Sequence, residues 1–211
     1  MARKSARDGG ISPWSKDERA LFRTLTSPQR IQEYLDDTPY SCDPIYRSPR
    51  SVIRDRKAHC FDGALFAAAA LRQLGHPPVI VNLLPHNDDE HLLALFRRRG
   101  HIGAVGKSNF VGLRYREPVY GTVRELVLSY FEFFFNVDRE KTLRGYWAPL
   151  NLARLDRFDW MTSDENLVEV EQALDRQRVI TLVSPAMAAD FAPVDPRSYA
   201  AGLKGAAAMR E

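Results

Sequence analysis

The feature that most constrains this chain is the run Cys60-Phe61-Asp62-Gly63-Ala64-Leu65-Phe66-Ala67-Ala68-Ala69-Ala70-Leu71-Arg72-Gln73-Leu74-Gly75. It has too few polar residues for a solvent-facing side, so it reads as a helix buried against a sheet. Four consecutive alanines let neighbouring backbones approach closely. Gly75 marks the helix end, and Pro77 and Pro78 block continuation. Cys60 therefore falls in the first turn, where free backbone N–H groups and the positive end of the dipole favour thiolate over thiol. Arg56, Lys57 and His59 precede it and are candidates to add positive charge. The plain alternative for any free cysteine is a small buried hydrophobe.

A buried helix needs a sizeable core around it, and 211 residues supply one. With 30 Lys+Arg against 27 Asp+Glu, the formal charge of +3 is too slight to imply a nucleic-acid partner, and no nucleic-acid motif is present. Two cysteines, Cys42 and Cys60, do not make a disulfide framework. The N-terminus is basic but lacks the apolar run of a signal peptide, and no window reaches membrane-span length. These features set the expectation of a cytoplasmic protein with reduced thiols and no membrane partner.

In chain order, residues 1–13 read as a disordered tail, 14–184 as one domain and 185–211 as a poorly ordered tail rich in Ala, Gly and Pro. A short helix is expected over 14–24. A second starts at the cap Ser27 with Pro28 in its first turn and ends near Asp37. Residues 40–55 read as an irregular loop with room for one helical turn at 49–53. Beyond the Cys60 helix, 79–84 is a strand, 85–90 a polar loop, and 91–96 and 101–105 a hairpin about a tight turn at 97–100. Residues 108–115 are expected to continue that sheet. From Thr122 a long helix is expected, with Val123, Leu126, Val127, Tyr130, Phe131 and Phe134 on one face as core or lid. A capping box at 162–165 predicts a helix to about 175, and 179–183 a last strand.

Cysteine chemistry needs a base and a group to orient it. His91 is the candidate base, since it opens a strand directly after the polar loop. If the hairpin turn centres on Arg99-Gly100, position 91 lies opposite Ser108, and a bulge would place Asn109 there instead. Asn109 is the better orienter because its amide oxygen accepts from an imidazole N–H, with Ser108 as fallback.

These residues resemble the transglutaminase-like branch of the papain-like cysteine enzymes. The similarity lies in Cys60, Asp62, Ala64, Ala68, Leu71, Arg72, Leu74 and Gly75, in Tyr40 and the Arg47-Ser48-Pro49 approach, and in His91 with the strand after it. It covers roughly residues 28–116. Two departures stand out: Leu92 and Leu93 follow His91 where a tryptophan is usual, and Lys107-Ser108-Asn109-Phe110 replaces the usual aspartate. The resemblance implies an α+β fold, a papain-like or transglutaminase-like core with the Cys60 helix packed on a small antiparallel sheet and flanked by other helices. It implies acyl transfer through a thioester on Cys60, with a peptide or protein amide as substrate and water or an amine as acceptor. The backbone N–H of Cys60 would help hold the oxyanion.

The other candidates are weaker. Lys107, Arg114 and Arg116 could receive a carboxylate, against the ordinary reading of a solvated face. His86, Asp88, Asp89, Glu90 and His91 match no common metal-site spacing, so no metal and no cofactor is expected. Asp62 reads equally as a cap of its helix, and Cys42 as incidental. The competing expectation is a domain that keeps the fold, has lost catalysis, and serves in binding or scaffolding.

Overall fold

The computed structural model describes residues 13–204. Most of the expected N-terminal tail and the last seven residues of the C-terminal tail lie outside that range.

The central helix, α4 (Cys60–Gln73), follows three shorter ones: α1 (Lys16–Thr24), α2 (Pro28–Asp36) and α3 (Pro49–Asp55). α1 begins with a Ser15/Glu18 capping box, while α2 and α3 each begin with a serine cap and a proline. α3 is thus longer than the single turn expected from sequence. From Phe61 to Leu71 every residue of α4 is buried. Each large apolar side chain so buried contributes about 2 kcal/mol, which is why an alanine-rich helix holds the centre.

α4 lies on an antiparallel sheet built from β1 (Val79–Pro85), β2 (His91–Arg98), β3 (His101–Val105), β4 (Arg116–Tyr120), β5 (Leu143–Trp147), β6 (Leu150–Asn151) and β7 (Val179–Thr181). The order is β4-β3-β2-β1-β5-β7, with β6 also paired to β1. The β2–β3 turn places Arg99 and Gly100 at φ 51° and 82°, the two left-handed positions of a tight hairpin. This fixes Arg98 opposite His101. The chain is thus an α+β protein, with the helix carrying Cys60 packed on a small antiparallel sheet and other helices around it. No helix of the described residues is long and apolar enough to cross a membrane.

The two sheet faces are filled differently. Ile80, Leu92, Ala94 and Phe96 pack with α4. Val81, Leu83, Leu93 and Leu95 face the other way, toward Leu126, Tyr130, Phe134 and Leu143. The helix after Thr122, α5, stops at Leu128, because the Ser129 hydroxyl bonds back to the Leu126 carbonyl at 2.6 Å. A 3₁₀ turn at Phe131–Phe133 follows, so the aromatic stripe is carried by two short pieces. α6 (Leu167–Asp175) is not started by the expected box. Asp164 instead accepts from the Ser48 N–H and the Ser51 hydroxyl, both at 2.7 Å, tying this segment to α3. The expected C-terminal tail contains α7 (Pro185–Ala189) and α8 (Pro196–Gly202). Tyr199 of α8 packs 5.5 Å from the Phe135 ring.

Candidate active site at Cys60

The first turn of α4 is held by a reciprocal cap. The His59 imidazole Nδ1 accepts from the Phe61 N–H at 3.2 Å, and the Asp62 carboxylate accepts from the His59 N–H at 3.2 Å. Asp62 also accepts from the Arg47 N–H at 2.8 Å, and the buried Arg47 guanidinium lies 3.8 Å away. Asp62 is nonetheless fully buried, and that burial pushes its carboxyl up to about 7. The capping role weighed for it from sequence is the one it occupies. His59 Nε2 lies 3.2 Å from the Ile45 carbonyl. A carbonyl only accepts, so Nε2 carries the proton, and both ring nitrogens are used by backbone.

The Cys60 thiol donates to the Glu90 carbonyl at 3.6 Å. β2 is unpaired to β3 there, since that ladder ends at Ala94 opposite Val105. The sulfur thus sits against free strand backbone. Burial, aided by Asp62 and Asp89, pushes the thiol up to about 11 despite the helix position. The preceding cations do not offset this: Arg56 lies over the Tyr34 ring and Lys57 lies 3.8 Å from Asp43. Tyr40 is held nearby by a bridge to Ala58.

His91 is elsewhere. Leu83 stands opposite His91 in an unbroken β1–β2 register, and side chains alternate along a strand. Leu92 faces α4, so His91 faces away from it. Its Nε2–H donates to the Leu113 carbonyl at 2.7 Å, and its ring meets Phe134 edge-on at 6.4 Å. Only 4% exposed, it is pushed down to about 4 by burial and is neutral at physiological pH. The thiol and the expected base are on opposite faces of β2.

The orienting residues do not reach His91 either. The observed register continues to 91 opposite 108, as the hairpin implies, but β3 leaves the sheet first. The Gln32 amide takes its place, bonding the Gly106 N–H at 3.0 Å and the Gly106 carbonyl at 2.9 Å. The Ser108 hydroxyl accepts from the Phe110 N–H at 2.9 Å. Ser108 and Asn109 line a separate cleft with Lys107, Arg114 and Tyr40.

The three cations proposed for a carboxylate are committed within the fold. Buried Lys107 donates to the Leu35 carbonyl at 2.7 Å and to the Thr38 carbonyl, closing the C-terminus of α2. Arg114 pairs with Asp36 at 3.0 Å. Arg116 lies 3.9 Å over the Tyr130 ring and donates to the Gly112 carbonyl at 2.7 Å. Lys107 also explains Gly63: a Cβ there would lie 2.3 Å from the Lys107 Cβ.

Cys60 opens instead onto a cleft of about 410 Å³ whose lining includes Tyr46, Asn82, Glu90, Trp147, Glu171 and Asp175. Of these, sequence reasoning named only Glu90, as part of a metal-like cluster. They come from five separated segments and share no motif. Among the described residues, no group of three or more His, Cys, Asp or Glu side chains is arranged to hold a metal ion.

No protein-family model and no curated protein matches this chain. Solved structures that it resembles include LapG of Legionella pneumophila. The EGTA-treated form gives a TM-score of 0.39 at 13% identity, covering 68% of this chain and 83% of that one. The calcium-bound form gives 0.37 at 14%, covering 61% and 71%. A further LapG structure gives 0.39 at 14%, covering 67% of this chain and 82% of that one.

Proposed function

We propose that this transglutaminase-like chain uses the Cys60 cleft to bind a ligand without covalent chemistry. The observation that carries the proposal is the placement of His91 across β2 from the thiol. No side-chain rotation moves an imidazole through a sheet. Bringing it round requires β2 to slip by one residue against β1, which would turn Leu92, Ala94 and Phe96 out of the core. His59, the nearest imidazole in sequence, has both nitrogens engaged by backbone.

The test is alkylation of Cys60 by iodoacetamide as a function of pH, read by mass spectrometry, with exposed Cys42 as internal control. Cys60 is expected to react appreciably only at strongly alkaline pH, well above a free cysteine at about 8.5. His91→Phe is expected to leave its profile unchanged. Rapid labelling of Cys60 below neutrality that depends on His91 would overturn the proposal.

That outcome would favour a second reading, acyl transfer through a Cys60 thioester. The place of Cys60 at the first residue of α4, where backbone N–H groups and the helix dipole favour a thiolate, and its opening onto the cleft support it. The start of β2 would then have to re-pair to turn His91 toward Cys60, with Asn109 or Ser108 orienting it. The sulfur would attack the carbonyl of a peptide or protein amide, and the C–N bond would break as the amine leaves with the proton His91 took from the thiol. Water or a second amine would then cleave the thioester to restore the thiol.

A further inference from the structure

Resting on the reading that the Cys60 cleft binds without covalent chemistry, we infer that it selects an organic cation, the ammonium or guanidinium group of a basic side chain or free amine. Its charge is one-sided. Asp89, Glu90, Glu171 and Asp175 line it, no lysine or arginine does, and none of the four makes an ion pair among the described residues. This contrasts with a chain whose formal net charge is +3. Like charges held together without a counter-ion repel, and Glu90 is shifted upward by burial first and by Asp175 and Glu171 after it.

A second observation is independent of the acids. Asn82 is 1% exposed, and its amide nitrogen donates to the Glu90 carboxylate. That bond fixes the amide orientation, because a carboxylate needs a donor opposite it. The other end, Oδ1, is buried and has no hydrogen-bond partner. A buried acceptor without a donor is costly. In a cleft rimmed by carboxylates, a donor carrying positive charge satisfies both Oδ1 and the acids. Tyr46 and Trp147 add aromatic rings to the lining, and aromatic faces attract cations. Tyr46 is held by its hydroxyl bond to Glu171 at 2.7 Å and by stacking on Phe61 at 4.3 Å. An organic cation fits better than a divalent metal, since these side chains are not grouped as metal ligands.

The test is an NMR titration of the full chain that follows the Trp147 indole N–H, assigned with Trp147→Phe. The probes are acetyl-Gly-Lys-Gly-amide, its Nε-acetyllysine counterpart, 1,5-diaminopentane and calcium chloride. The lysine peptide is expected to shift the signal saturably, and acetylation to weaken binding about tenfold or more. Glu171→Gln with Asp175→Asn, on the exposed side of α6, is expected to weaken the lysine peptide by about tenfold while leaving the acetylated peptide unchanged. Asn82→Ala is expected to weaken both the peptide and the diamine. If that variant does not fold, the α6 double variant still decides. Tighter binding of the peptide than of the diamine assigns the source as a protein chain, and the reverse assigns a free amine. Equal binding of lysine and acetyllysine peptides, no binding of either amine, or calcium acting at lower concentration than the amines would overturn the inference. A covalent mass shift on Cys60 with the lysine peptide would instead overturn the non-covalent reading and leave cation selectivity standing.

Discussion

The two faces of the β1–β2 pair are one residue apart in sequence and opposite in chemistry. On the α4 face, Asn82 and Leu92 lie beside a thiol, and the face opens into a carboxylate-lined cleft. On the other, Leu83, His91 and Leu93 lie in a dry layer with Tyr130 and Phe134. Both faces hold polar groups, and the far layer satisfies its imidazole with the Leu113 carbonyl. The α4 face leaves the Asn82 amide oxygen unmatched and its cleft acids without a cation. A titratable residue with a committed partner belongs to the architecture. One left without a partner next to a cavity is where binding is to be sought.

The sharpest way to break this contrast is His91→Ala. If His91 belongs to the dry layer, the loss of a buried ring should cost about 3 kcal/mol in urea unfolding while leaving Cys60 alkylation unchanged in the folded protein. An alkylation rate that falls with little loss of stability would put His91 in the cleft instead.

The pH dependence of stability sharpens it further. His91 is pushed down to about 4 in the folded chain, so the unfolded chain takes up this proton first. Its contribution is full above about 6.5 and is lost as pH falls toward 4, about 3 kcal/mol in all. Asp62 has the opposite sign. Pushed up to about 7, its carboxyl binds a proton more readily when folded, so its contribution declines as pH rises from about 4 to 7. Replacing His91 with Phe should therefore leave a protein that gains stability on acidification across this window, measured by urea midpoints at several pH values. Parallel curves for the variant and the parent would refute the assignment.

A smaller effect is expected at the junction between α2 and α4. Lys107→Met removes the donor from the Leu35 and Thr38 carbonyls and should cost about 2 kcal/mol, with faster amide exchange at the end of α2. The smallest is Tyr46→Phe, which loses an exposed bond to Glu171 and should cost less than about 1 kcal/mol while loosening the cleft wall. A loss as large as that of His91→Ala would mean that the cleft wall is structural.

Much of the scaffold was legible in the sequence for reasons that can be named. The apolar run after Cys60 has no polar side, and Arg99-Gly100 can form a two-residue turn, so the buried helix and the hairpin register both followed. The facing of His91 did not. Strand β2 is covered on both sides, and residues 91–96 are all buried, so no alternation shows which side is which. The hairpin gave the partner of each residue but not its face. For Lys107 the sequence offers a carboxylate-binding cation or a solvated charge, whereas its stem runs inward past Gly63 to helix carbonyls. The C-terminal helices carried an unused signal. Ser184-Pro185 and Asp195-Pro196 repeat the cap-then-proline start of α2 and α3. The cleft as a whole was beyond reach, because Asn82, Trp147 and Asp175 are brought together only by the fold.

The contact of the Cys60 sulfur with the Glu90 carbonyl has a consequence for cooperativity. Where β3 has departed, the side chain of a helix stands in for the missing strand, so one sulfur atom joins the start of α4 to the unpaired start of β2. Alkylating that sulfur would uncouple the two without touching the core. The signature would be selective loss of amide-exchange protection at the start of β2, with the rest of the sheet as slow to exchange as before.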